Sequence, residues 1–315
     1  NDYDVATVAL PEQVKACFAK EKVLETGIRH GTVTVVLEGM ALEVPTYRID
    51  GDYADGRRPD SVTFTSHLIQ DLSRRDFTIN AMAYHPREGL VDPFGGWADL
   101  QAKTIRCVGV PQTRFEEDAL RILRALRFAS QLSFALDVDT ADAVHSLCGR
   151  LPCIARERVQ TELVKLLVGK EAGQVLLGYS DVICTAIPQL KPSIGFAHDN
   201  PHHRYDVWTH TCQTVALCGE DPVVRLAALL HDVGKPFCFS RDENGMGHFY
   251  GHAAQSVEIA SDIMKTLRFD SKTIHEVETL IRWHDVPIVP TEKSVRRWLA
   301  RIGVQQLRRL LDLKK

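Results

Sequence analysis

Two aspartates, Asp2 and Asp4, stand one residue apart near the start of the chain. Because successive side chains of a β-strand point to opposite faces, both carboxylates lie on the same face if this segment is a strand. Paired carboxylates suit Mg²⁺, which prefers hard oxygen ligands and the phosphates of a substrate. A solvated strand end explains the same spacing when the motif is taken alone, so its interpretation depends on the residues that accompany it.

A third carboxylate, Glu43, occurs on a strand-like stretch and could join this pair. In a two-metal site, one ion lowers the pKa of an attacking hydroxyl and the other neutralises a departing pyrophosphate. The segment Arg74 to Ala83 adds groups suited to a nucleotide: arginine for phosphate, and aspartate or asparagine for ribose hydroxyls. Surface ion pairs worth under about 1 kcal/mol each are the alternative interpretation of that segment.

Residues 116–129 predict one continuous amphipathic helix, with acidic residues in its first turn and no Gly or Pro. Arg121, Arg124 and Arg127 recur every third residue and therefore stay near one face. Asp118 precedes Arg121 by three residues, so the two side chains are neighbours on such a helix.

Asp118 and Arg121 together offer a means of choosing a base. The pairing edges of cytosine and adenine each present an amino donor beside a ring-nitrogen acceptor, whereas guanine and uracil present a carbonyl and a ring N–H there. A carboxylate that accepts from the amino group and a guanidinium that donates to the ring nitrogen would select C and A. An exposed ion pair with no such role is the alternative.

The second half of the chain contains an ordered set of possible metal ligands, His210, His231, Asp232 and Asp285, within apolar helical sequence. A single histidine on an apolar helix is usually a packed core residue, but several candidate ligands in this order predict a metal site. A ligand set of imidazole and carboxylate suits Mn²⁺, Fe, Ni²⁺ or Mg²⁺ better than it suits a zinc site of the thiolate type. His284 could serve in place of its neighbour Asp285.

Further polar residues lie near this set. His248, His252 and Lys235 could bind a second metal or a phosphate, although surface histidines in a solvated loop are an equal alternative. The last segment is basic, and a solvated helix face is its default interpretation; its cationic residues are Arg296, Arg297, Arg301, Arg308, Arg309, Lys314 and Lys315. Together with Arg114, Arg124, Arg127 and Arg150, the segment could instead contribute phosphate contacts to an acceptor stem.

Composition limits the class of protein. With 315 residues and 44% hydrophobic residues, the chain can bury the cores of two or three domains. Its net charge of −3 gives no general basic field, so any binding of nucleic acid must depend on local clusters. Eight cysteines without a C-x-x-C pair predict reduced thiols, and no apolar run approaches the roughly 20 residues of a membrane span. We expect a soluble, cytoplasmic protein.

The elements that position these residues change in character along the chain. Strand-like runs at 32–38 and 40–44 and a helix at 11–20 predict a mixed α+β domain over residues 1–105. Nearly everything beyond Val108 predicts helix: a neck and body at 106–190, a linker at 188–201, a second helical domain at 201–290 and a further helical region at 291–315. The fold class is α+β, followed by all-α domains.

The sequence closely resembles the class II tRNA nucleotidyltransferases, which comprise the CCA-adding enzymes and the bacterial poly(A) polymerases. The resemblance covers about residues 1–190, and the motifs that carry it are Asp2-x-Asp4 with Thr7, Arg74-Arg75-Asp76 to Asn80-Ala81, Asp92 to Leu100, Glu117-Asp118-x-x-Arg121, and Arg158-Val159. It implies a truncated polymerase-β-like nucleotidyltransferase head, followed by a helical neck and body.

The resemblance implies roles for these residues. Asp2 and Asp4 would bind Mg²⁺ with Glu43 as the third carboxylate, and Asp118 with Arg121 would face the incoming base. The remaining nucleotide-binding residues would be Arg75, Asp76, Asn80, Arg124, Arg127 and Arg158. The implied reaction adds C, C and A to the 3′ end of tRNA from CTP and ATP.

Residues 201–290 resemble the HD phosphohydrolase domain, with His210, His231, Asp232 and Asp285 as ligands of one divalent metal. Its expected chemistry is hydrolysis of a phosphomonoester or a 2′,3′-cyclic phosphodiester by a metal-activated water. A purely structural domain that holds tRNA or a dimer partner is the alternative.

Two other functions fit the same motifs. Within the family, the alternatives are a poly(A) polymerase or an enzyme restricted to CC or A addition. From another class, the chain could be an HD phosphohydrolase whose head only binds RNA. The family also places a Gly-Gly-x-x-Arg-Asp segment before its D-x-D motif, and the chain begins after that point. We therefore expect weak nucleotide addition until the upstream segment is restored.

Overall fold

The structure, a computed structural model, describes residues 5–51, 61–197, 205–243 and 246–314. The chain forms two compact units, residues 1–118 and residues 119–315. The first unit combines small sheets with short helices, and the second is almost entirely helical. The predicted fold class, an α+β head followed by all-α domains, is confirmed.

The first unit is built from short elements. Its helices are α1 (Pro11–Cys17), α2 (Leu68–Ser73), α3 (Gly96–Gln101) and α4 (Pro111–Glu117). Its strands are β1 (Lys22–Leu24), β2 (Thr32–Leu37), β3 (Met40–Pro45), β4 (Arg48–Asp50), β5 (Val62–Phe64), β6 (Ala83–His85), β7 (Gly89–Val91) and β8 (Thr104–Ile105).

The main sheet of this unit has the antiparallel order β1-β2-β3. Residues Glu38 and Gly39 join β2 to β3 and both have positive φ, the backbone of a two-residue turn that matches the twist of a hairpin. Val33 and Val35 alternate toward one face of β2, where they are fully buried with Val14 of α1. The strands predicted for 32–38 and 40–44 are thereby confirmed.

The second unit contains the longer helices. They are α5 (Leu120–Leu132), α6 (Val138–Leu147), α7 (Arg156–Leu167), α8 (Ala172–Gly178), α9 (Ser180–Ala186), α10 (Val207–Leu217), α11 (Pro222–Leu230), α12 (His252–Thr266), α13 (Ser271–Trp283) and α14 (Glu292–Leu313). Short strands lie at β9 (Ala135–Leu136), β10 (Ser240–Arg241) and β11 (Gly247–His248). No helix of the described ranges is both long and apolar enough to cross a membrane.

Side-chain caps fix the starts of several helices in the second unit. Asp206, Asp221 and Asp270 each accept a hydrogen bond from a backbone amide in the first turn of α10, α11 and α13. Within this unit α5 packs on α7, and α11 packs on α13. The segment predicted as a linker begins with a 3₁₀ turn, Pro188–Ser193, in which Leu190 is buried.

The single helix predicted for residues 116–129 is wrong. Helix α4 ends at Glu117, Asp118 has extended backbone angles (φ −144°, ψ 103°), and α5 begins at Leu120. Asp is a weak helix former because its side chain competes for nearby backbone groups, and acidic residues are unfavourable at the negative end of a helix dipole. Asp118 and Arg121 are therefore not neighbours on one continuous helix.

Candidate functional site

Three residues predicted to bind the nucleotide meet at the 3₁₀ turn Thr78–Asn80. The Asp76 carboxylate is 8% exposed and accepts hydrogen bonds from the Phe77 amide (2.9 Å) and from Asn80 Nδ2 (3.1 Å). Arg75 Nη1 donates to the Asn80 carbonyl oxygen at 3.2 Å. These contacts hold an arginine, a carboxylate and an amide together in fixed orientations.

A buried carboxylate, Asp71, supports this group from α2. It is 2% exposed, and its Oδ1 accepts from Arg74 Nε (3.0 Å), from Arg74 Nη2 (2.9 Å) and from the Arg48 amide (3.1 Å). Its Oδ2 lies 3.9 Å from Arg75 Nη2. Asp71 is not among the residues predicted from the sequence, although its position three and four residues before two arginines is a signal that indicates it.

Only one of the three carboxylates predicted to hold Mg²⁺ lies among the residues that the structure describes. Asp2 and Asp4 lie outside the described residues, and Glu43 is exposed on β3. Thr7 forms a parallel bridge with Thr46, so the described start of the chain runs beside the continuation of the strand that carries Glu43. The three-carboxylate set stays a prediction.

The residues predicted to read the base lie at the ends of two helices. Asp118 is the C-terminal cap of α4, and its amide donates to the Arg114 carbonyl oxygen. Arg121 stands in the first turn of α5 and is 9% exposed. An arginine so deeply buried has been desolvated, which favours directed hydrogen bonds over a loose surface contact.

The next arginines of α5 contact a carboxylate of α7. Arg127 Nε lies 2.8 Å from Glu162 Oε2 and Arg124 Nη1 lies 3.9 Å from Glu162 Oε1, while the Glu162 side chain is only 6% exposed. The Arg127 guanidinium also lies over the Phe128 ring, 4.0 Å from its centroid. Arg158 is partly exposed in the first turn of α7. The structure therefore gives Arg127 a role in joining two helices.

The predicted metal ligands of the second unit are brought together by helix ends. His210 projects from α10, His231 caps the end of α11 with Asp232 next in the chain, and His284 caps the end of α13. His252 is the first residue of α12. Residues distant in sequence converge because these helices pack on one another.

Asp232 stands at the centre of this cluster with one pair of histidines at each carboxylate oxygen. Its Oδ2 lies 3.5 Å from His210 Nε2 and 3.1 Å from His231 Nε2, and its Oδ1 lies 3.5 Å from His252 Nε2 and 3.6 Å from His284 Nε2. Two groups of ligand atoms result, each with a spread below 4.8 Å, and Asp232 belongs to both.

Backbone hydrogen bonds fix the orientation of three of these rings. The Nδ1 atoms of His231, His252 and His284 contact the carbonyl oxygens of Ala228, Phe249 and Ile281 at 2.8, 2.9 and 2.6 Å. A carbonyl can only accept, so each Nδ1 carries a proton and each Nε2 is directed toward Asp232. This is the arrangement that metal-binding histidines adopt.

The charge of Asp232 is strongly stabilised. Burial opposes ionisation of this carboxyl, but His231, His284 and Lys235 together hold its pKa well below the usual range. The Lys235 ammonium lies 2.8 Å from Oδ2. Burial lowers the pKa of His252, and the charge of Asp232 partly offsets that effect. The site therefore presents an ionised carboxylate, with neutral His252 favoured by its burial.

The other predicted residues lie at the edge of the cluster. The Asp285 side chain is 69% exposed, and its Oδ2 lies 3.8 Å from His252 Nε2. His248 contacts Asp242 at 3.1 Å and stacks on Tyr250. Among the described residues, His252 and His284 form a group of possible ligands with Asp232, and Asp285 and His248 do not belong to it.

The donor set fits a divalent metal. Both oxygens of Asp232 are buried and have no hydrogen bond of ordinary geometry within the described chain, although ion-pair contacts surround them. Convergent imidazole nitrogens around an unsatisfied carboxylate suit Mn²⁺, Fe, Ni²⁺ or Mg²⁺. A metal would satisfy the atoms that protein hydrogen bonds leave unpaired.

Family models match three successive regions of the chain. Residues 1–106 match the poly(A) polymerase head domain, residues 133–178 match a probable RNA- and SrmB-binding site of polymerase A, and residues 207–312 match the HD domain. The chain thus matches, in order, a polymerase head domain, a probable RNA-binding segment and an HD domain. The HD match extends past residue 290, where the sequence had predicted a separate helical region.

The relatives of the chain are CCA-adding enzymes. That of Lactobacillus delbrueckii subsp. bulgaricus is 45% identical over 199 residues, which cover 63% of this chain and 49% of the relative. That of Geobacillus thermodenitrificans is 50% identical over 175 residues, which cover 56% and 43%. The chain therefore spans about half the length of these relatives.

A solved structure supports the same assignment. The Bacillus stearothermophilus CCA-adding enzyme in complex with CTP superposes with a TM-score of 0.72 at 29% identity, covering 100% of this chain and 68% of that one. The predicted resemblance to the class II tRNA nucleotidyltransferases, with an HD domain, is confirmed.

Proposed function

We propose that the chain carries the nucleotidyl-transfer function of a CCA-adding enzyme, which adds C, C and A to the 3′ end of tRNA from CTP and ATP. The observation that carries the proposal is the 45% and 50% identity to CCA-adding enzymes over 199 and 175 residues. A poly(A) polymerase shares the head domain, but the relatives named above are CCA-adding enzymes.

The head would bind the nucleoside triphosphate through Arg75, Asp76 and Asn80, which are held together by hydrogen bonds. Arg75 would donate to a phosphate, while Asp76 and Asn80 would accept from and donate to ribose hydroxyls. Their mutual hydrogen bonds preorganise them, which lowers the entropy lost when the nucleotide binds. Asp2, Asp4 and Glu43 would hold Mg²⁺, whose charge stabilises the leaving pyrophosphate.

Selection of the base would fall to Asp118 and Arg121. The carboxylate would accept from the amino group of cytosine or adenine, and the guanidinium would donate to the adjacent ring nitrogen. Uracil or guanine would leave buried polar groups unpaired, at about 1–3 kcal/mol for each group. Two side chains at helix ends would then suffice for both nucleotides.

Misincorporation tests this role. Asp118→Ala and Arg121→Ala variants of the full-length protein should accept UTP and GTP more readily, roughly 5- to 150-fold for each lost pairing by the same energies. Arg87→Ala is the matched control, because it removes an arginine from an exposed position outside the predicted nucleotide-binding residues. Variants that still reject UTP and GTP as strictly as the unaltered protein would refute the base-reading role.

Incorporation assays test the proposed reaction itself. The full-length protein, given tRNA lacking its last three nucleotides, should incorporate CTP and ATP but neither UTP nor GTP. Asp76→Ala should lower this activity strongly, because it removes both the ribose contact and the partner of Asn80. Long A tracts would indicate a poly(A) polymerase, and extension by C alone or A alone would indicate a restricted enzyme.

The HD domain supports a second function, hydrolysis of a phosphomonoester or a 2′,3′-cyclic phosphodiester. The observation that favours it is the buried Asp232 between His210 with His231 and His252 with His284. These five residues would hold divalent metal, which would supply a Lewis acid and an activated water. Lys235 would contact a substrate phosphate from its position beside Asp232.

Metal content and phosphatase activity test this second function. His231→Ala should lose metal-dependent hydrolysis of a model phosphomonoester and bind less Mn²⁺ or Ni²⁺ in equilibrium dialysis. His248→Ala is a matched control, since that histidine contacts Asp242 rather than Asp232. Full phosphatase activity in the His231→Ala variant would reject a catalytic HD site.

A further inference from the structure

The histidines of the HD centre form two groups that share the Asp232 carboxylate. His210 and His231 lie beside Oδ2, and His252 and His284 lie beside Oδ1. We refer to these groups, each with its own oxygen atom, as the Oδ2 half and the Oδ1 half. In each half the ligand atoms lie within 4.8 Å of one another. Two imidazoles and a carboxylate oxygen are enough protein ligands for a metal that keeps an open position, so each half is a metal site in its own right.

The spacing of the ligand atoms in each half fits a separate ion. In the Oδ1 half, the two Nε2 atoms lie 3.2 Å apart and stand 3.5 and 3.6 Å from the oxygen. In the Oδ2 half, the corresponding distances are 3.3, 3.5 and 3.1 Å. Two atoms bound to one ion at about 2.1 Å each lie roughly 3.0–3.4 Å apart when the angle between them is octahedral or tetrahedral. Both halves therefore come close to the dimensions of a coordination sphere.

The Asp232 carboxylate is suited to bridge two ions. Both of its oxygens are buried, and neither has a hydrogen-bond partner of ordinary geometry among the described residues. One ion beside a single oxygen would leave the other oxygen unsatisfied. An ion in each half would satisfy both oxygens.

The two halves differ in their access to solvent. In the Oδ1 half, the side chains of His252 and His284 are only 9% and 10% exposed. In the Oδ2 half, the His210 side chain is 35% exposed. The Oδ1 half is therefore enclosed by protein, whereas the Oδ2 half is open to solvent on the side of His210.

The two halves also differ in the charge beside them. The Lys235 ammonium lies 2.8 Å from Oδ2, and its side chain is only 8% exposed, so a positive charge is held against the Oδ2 half. The Asp285 carboxylate lies 3.8 Å from His252 Nε2 and places a negative charge near the Oδ1 half. Repulsion by the ammonium weakens the binding of a divalent cation in the Oδ2 half, and attraction by Asp285 strengthens it in the Oδ1 half.

We propose that the HD centre binds two divalent ions in a fixed order, the first tightly in the Oδ1 half and the second more weakly in the Oδ2 half. Asp232 bridges the two ions, and Lys235 sets the difference between their affinities. The inference rests on the proposed hydrolytic function of the HD domain and divides its metal site into two roles. The Oδ1 half holds a resident ion, and the Oδ2 half is the side from which a substrate phosphate reaches the centre.

Equilibrium dialysis against Ni²⁺ tests the number and the order of the ions. Excess Mg²⁺ is included to occupy carboxylate sites of the head, because Ni²⁺ binds imidazole ligands far more strongly than Mg²⁺ does. The full-length protein should bind two Ni²⁺ ions with dissociation constants that differ by roughly tenfold or more. A single ion in this centre, or two ions of equal affinity, would overturn the proposal.

Histidine variants assign the two steps of the binding curve. His252→Ala should lose the tight step, and His210→Ala should lose the weak step and keep the tight one. His275→Ala is the matched control, because this exposed histidine of α13 belongs to neither group of ligands and should leave both steps unchanged. Loss of the weak step in His252→Ala, with the tight step kept, would reverse the assignment and overturn the order.

A lysine variant tests the charge beside Oδ2. Lys235→Met should tighten the second step by roughly tenfold or more and leave the first step unchanged. Lys265→Met is the matched control, because it removes the same charge from an exposed position on α12 and should change neither constant. Equal binding curves for Lys235→Met and the unaltered protein would overturn the role of Lys235.

Anomalous diffraction at the Ni absorption edge gives a test that needs no substitution, should a histidine variant fail to fold. Crystals of the unaltered protein with saturating Ni²⁺ should show one peak beside each oxygen of Asp232. With limiting Ni²⁺, the peak beside Oδ1 should dominate. A dominant peak beside Oδ2 would overturn the order of binding.

The outcomes distinguish this inference from the proposed hydrolytic function. A protein that hydrolyses a phosphomonoester with a single ion in the HD centre would overturn the two-ion centre alone. A protein that binds two ions in the stated order without hydrolysing phosphoesters would overturn the hydrolytic function and support the two-ion centre. A protein that neither binds Ni²⁺ in the HD centre nor hydrolyses phosphoesters would overturn both.

Discussion

The ion pair between α5 and α7 gives a sharp prediction for stability, through the substitution Glu162→Gln. The Glu162 side chain is 6% exposed and forms ion pairs with Arg127 and Arg124. The side chain of Arg127 is 12% exposed, and that of Arg124 is 32% exposed. Removing one partner of a fully buried pair costs about 3–5 kcal/mol. Because Arg124 is nearly one-third exposed and water screens it, we expect a loss of about 2–3 kcal/mol.

The assay is equilibrium unfolding in urea together with thermal unfolding. For a unit of this size each kcal/mol shifts the midpoint by about 2–4 °C, so Glu162→Gln should lower the Tm by roughly 4–12 °C. Glu157→Gln, an exposed acid on the same helix, is the matched control and should change stability by less than about 0.5 kcal/mol.

A double-mutant cycle separates the ion pair from the loss of packing. Arg127→Met removes the main partner while keeping an apolar side chain of similar length. The Glu162→Gln/Arg127→Met protein should be more stable than the sum of the single losses predicts, with a coupling of about 0.5–3 kcal/mol. Additive losses, or a Glu162→Gln loss below 1 kcal/mol, would refute the reasoning that this carboxylate holds α5 against α7.

Three further predictions concern other buried groups. Asp71→Ala should destabilise the first unit by about 2–3 kcal/mol in urea unfolding, because it removes the buried acceptor of the Arg74 guanidinium and of the Arg48 amide; an unchanged midpoint would contradict this. Gly169→Ala should cost about 1–3 kcal/mol in thermal unfolding, because an added Cβ would stand 2.7 Å from the Ser130 carbonyl carbon; a stabilised variant would contradict this. Burial, with a smaller contribution from nearby charge, raises the pKa of the Cys184 thiol to about 11, so at pH 8 iodoacetamide should label exposed Cys153 far faster by mass spectrometry, and equal rates would contradict this.

Much of the first unit could be predicted because its signals are local. The alternation of valines and the residues Glu38 and Gly39 define the β2–β3 hairpin without long-range information. The break at Asp118 could not be predicted in this way, because the flanking residues are all compatible with helix and the pattern stays amphipathic across it. A single weak helix former decided the geometry there.

The helical periodicity of α13 contains enough information to identify the residue that points into the HD centre. Val277, Ile281 and His284 lie on one stripe of α13, and the first two are fully buried. This spacing directs His284 inward, whereas Asp285 lies a further 100° or so around the helix. Which of the two adjacent candidate ligands faces Asp232 was therefore predictable from the buried positions that precede them.

Buried carboxylates outside the motifs were harder to find. Glu162 stands between Val159, Leu163 and Leu166 on the buried face of α7, and a charge on an apolar stripe indicates a partner in the fold. The identity of that partner depends on how α5 packs against α7, which the sequence of either helix alone does not determine.

Sequencing of reaction products tests the central claim most directly. The full-length protein would be incubated with tRNA lacking its last three nucleotides, CTP and ATP, and the new 3′ ends would be read. The proposed function predicts addition of C, C and A in that order, arrest after two C residues when ATP is withheld, and no extension from UTP or GTP. Tracts of A, or an unextended tRNA alongside active phosphate hydrolysis, would contradict it.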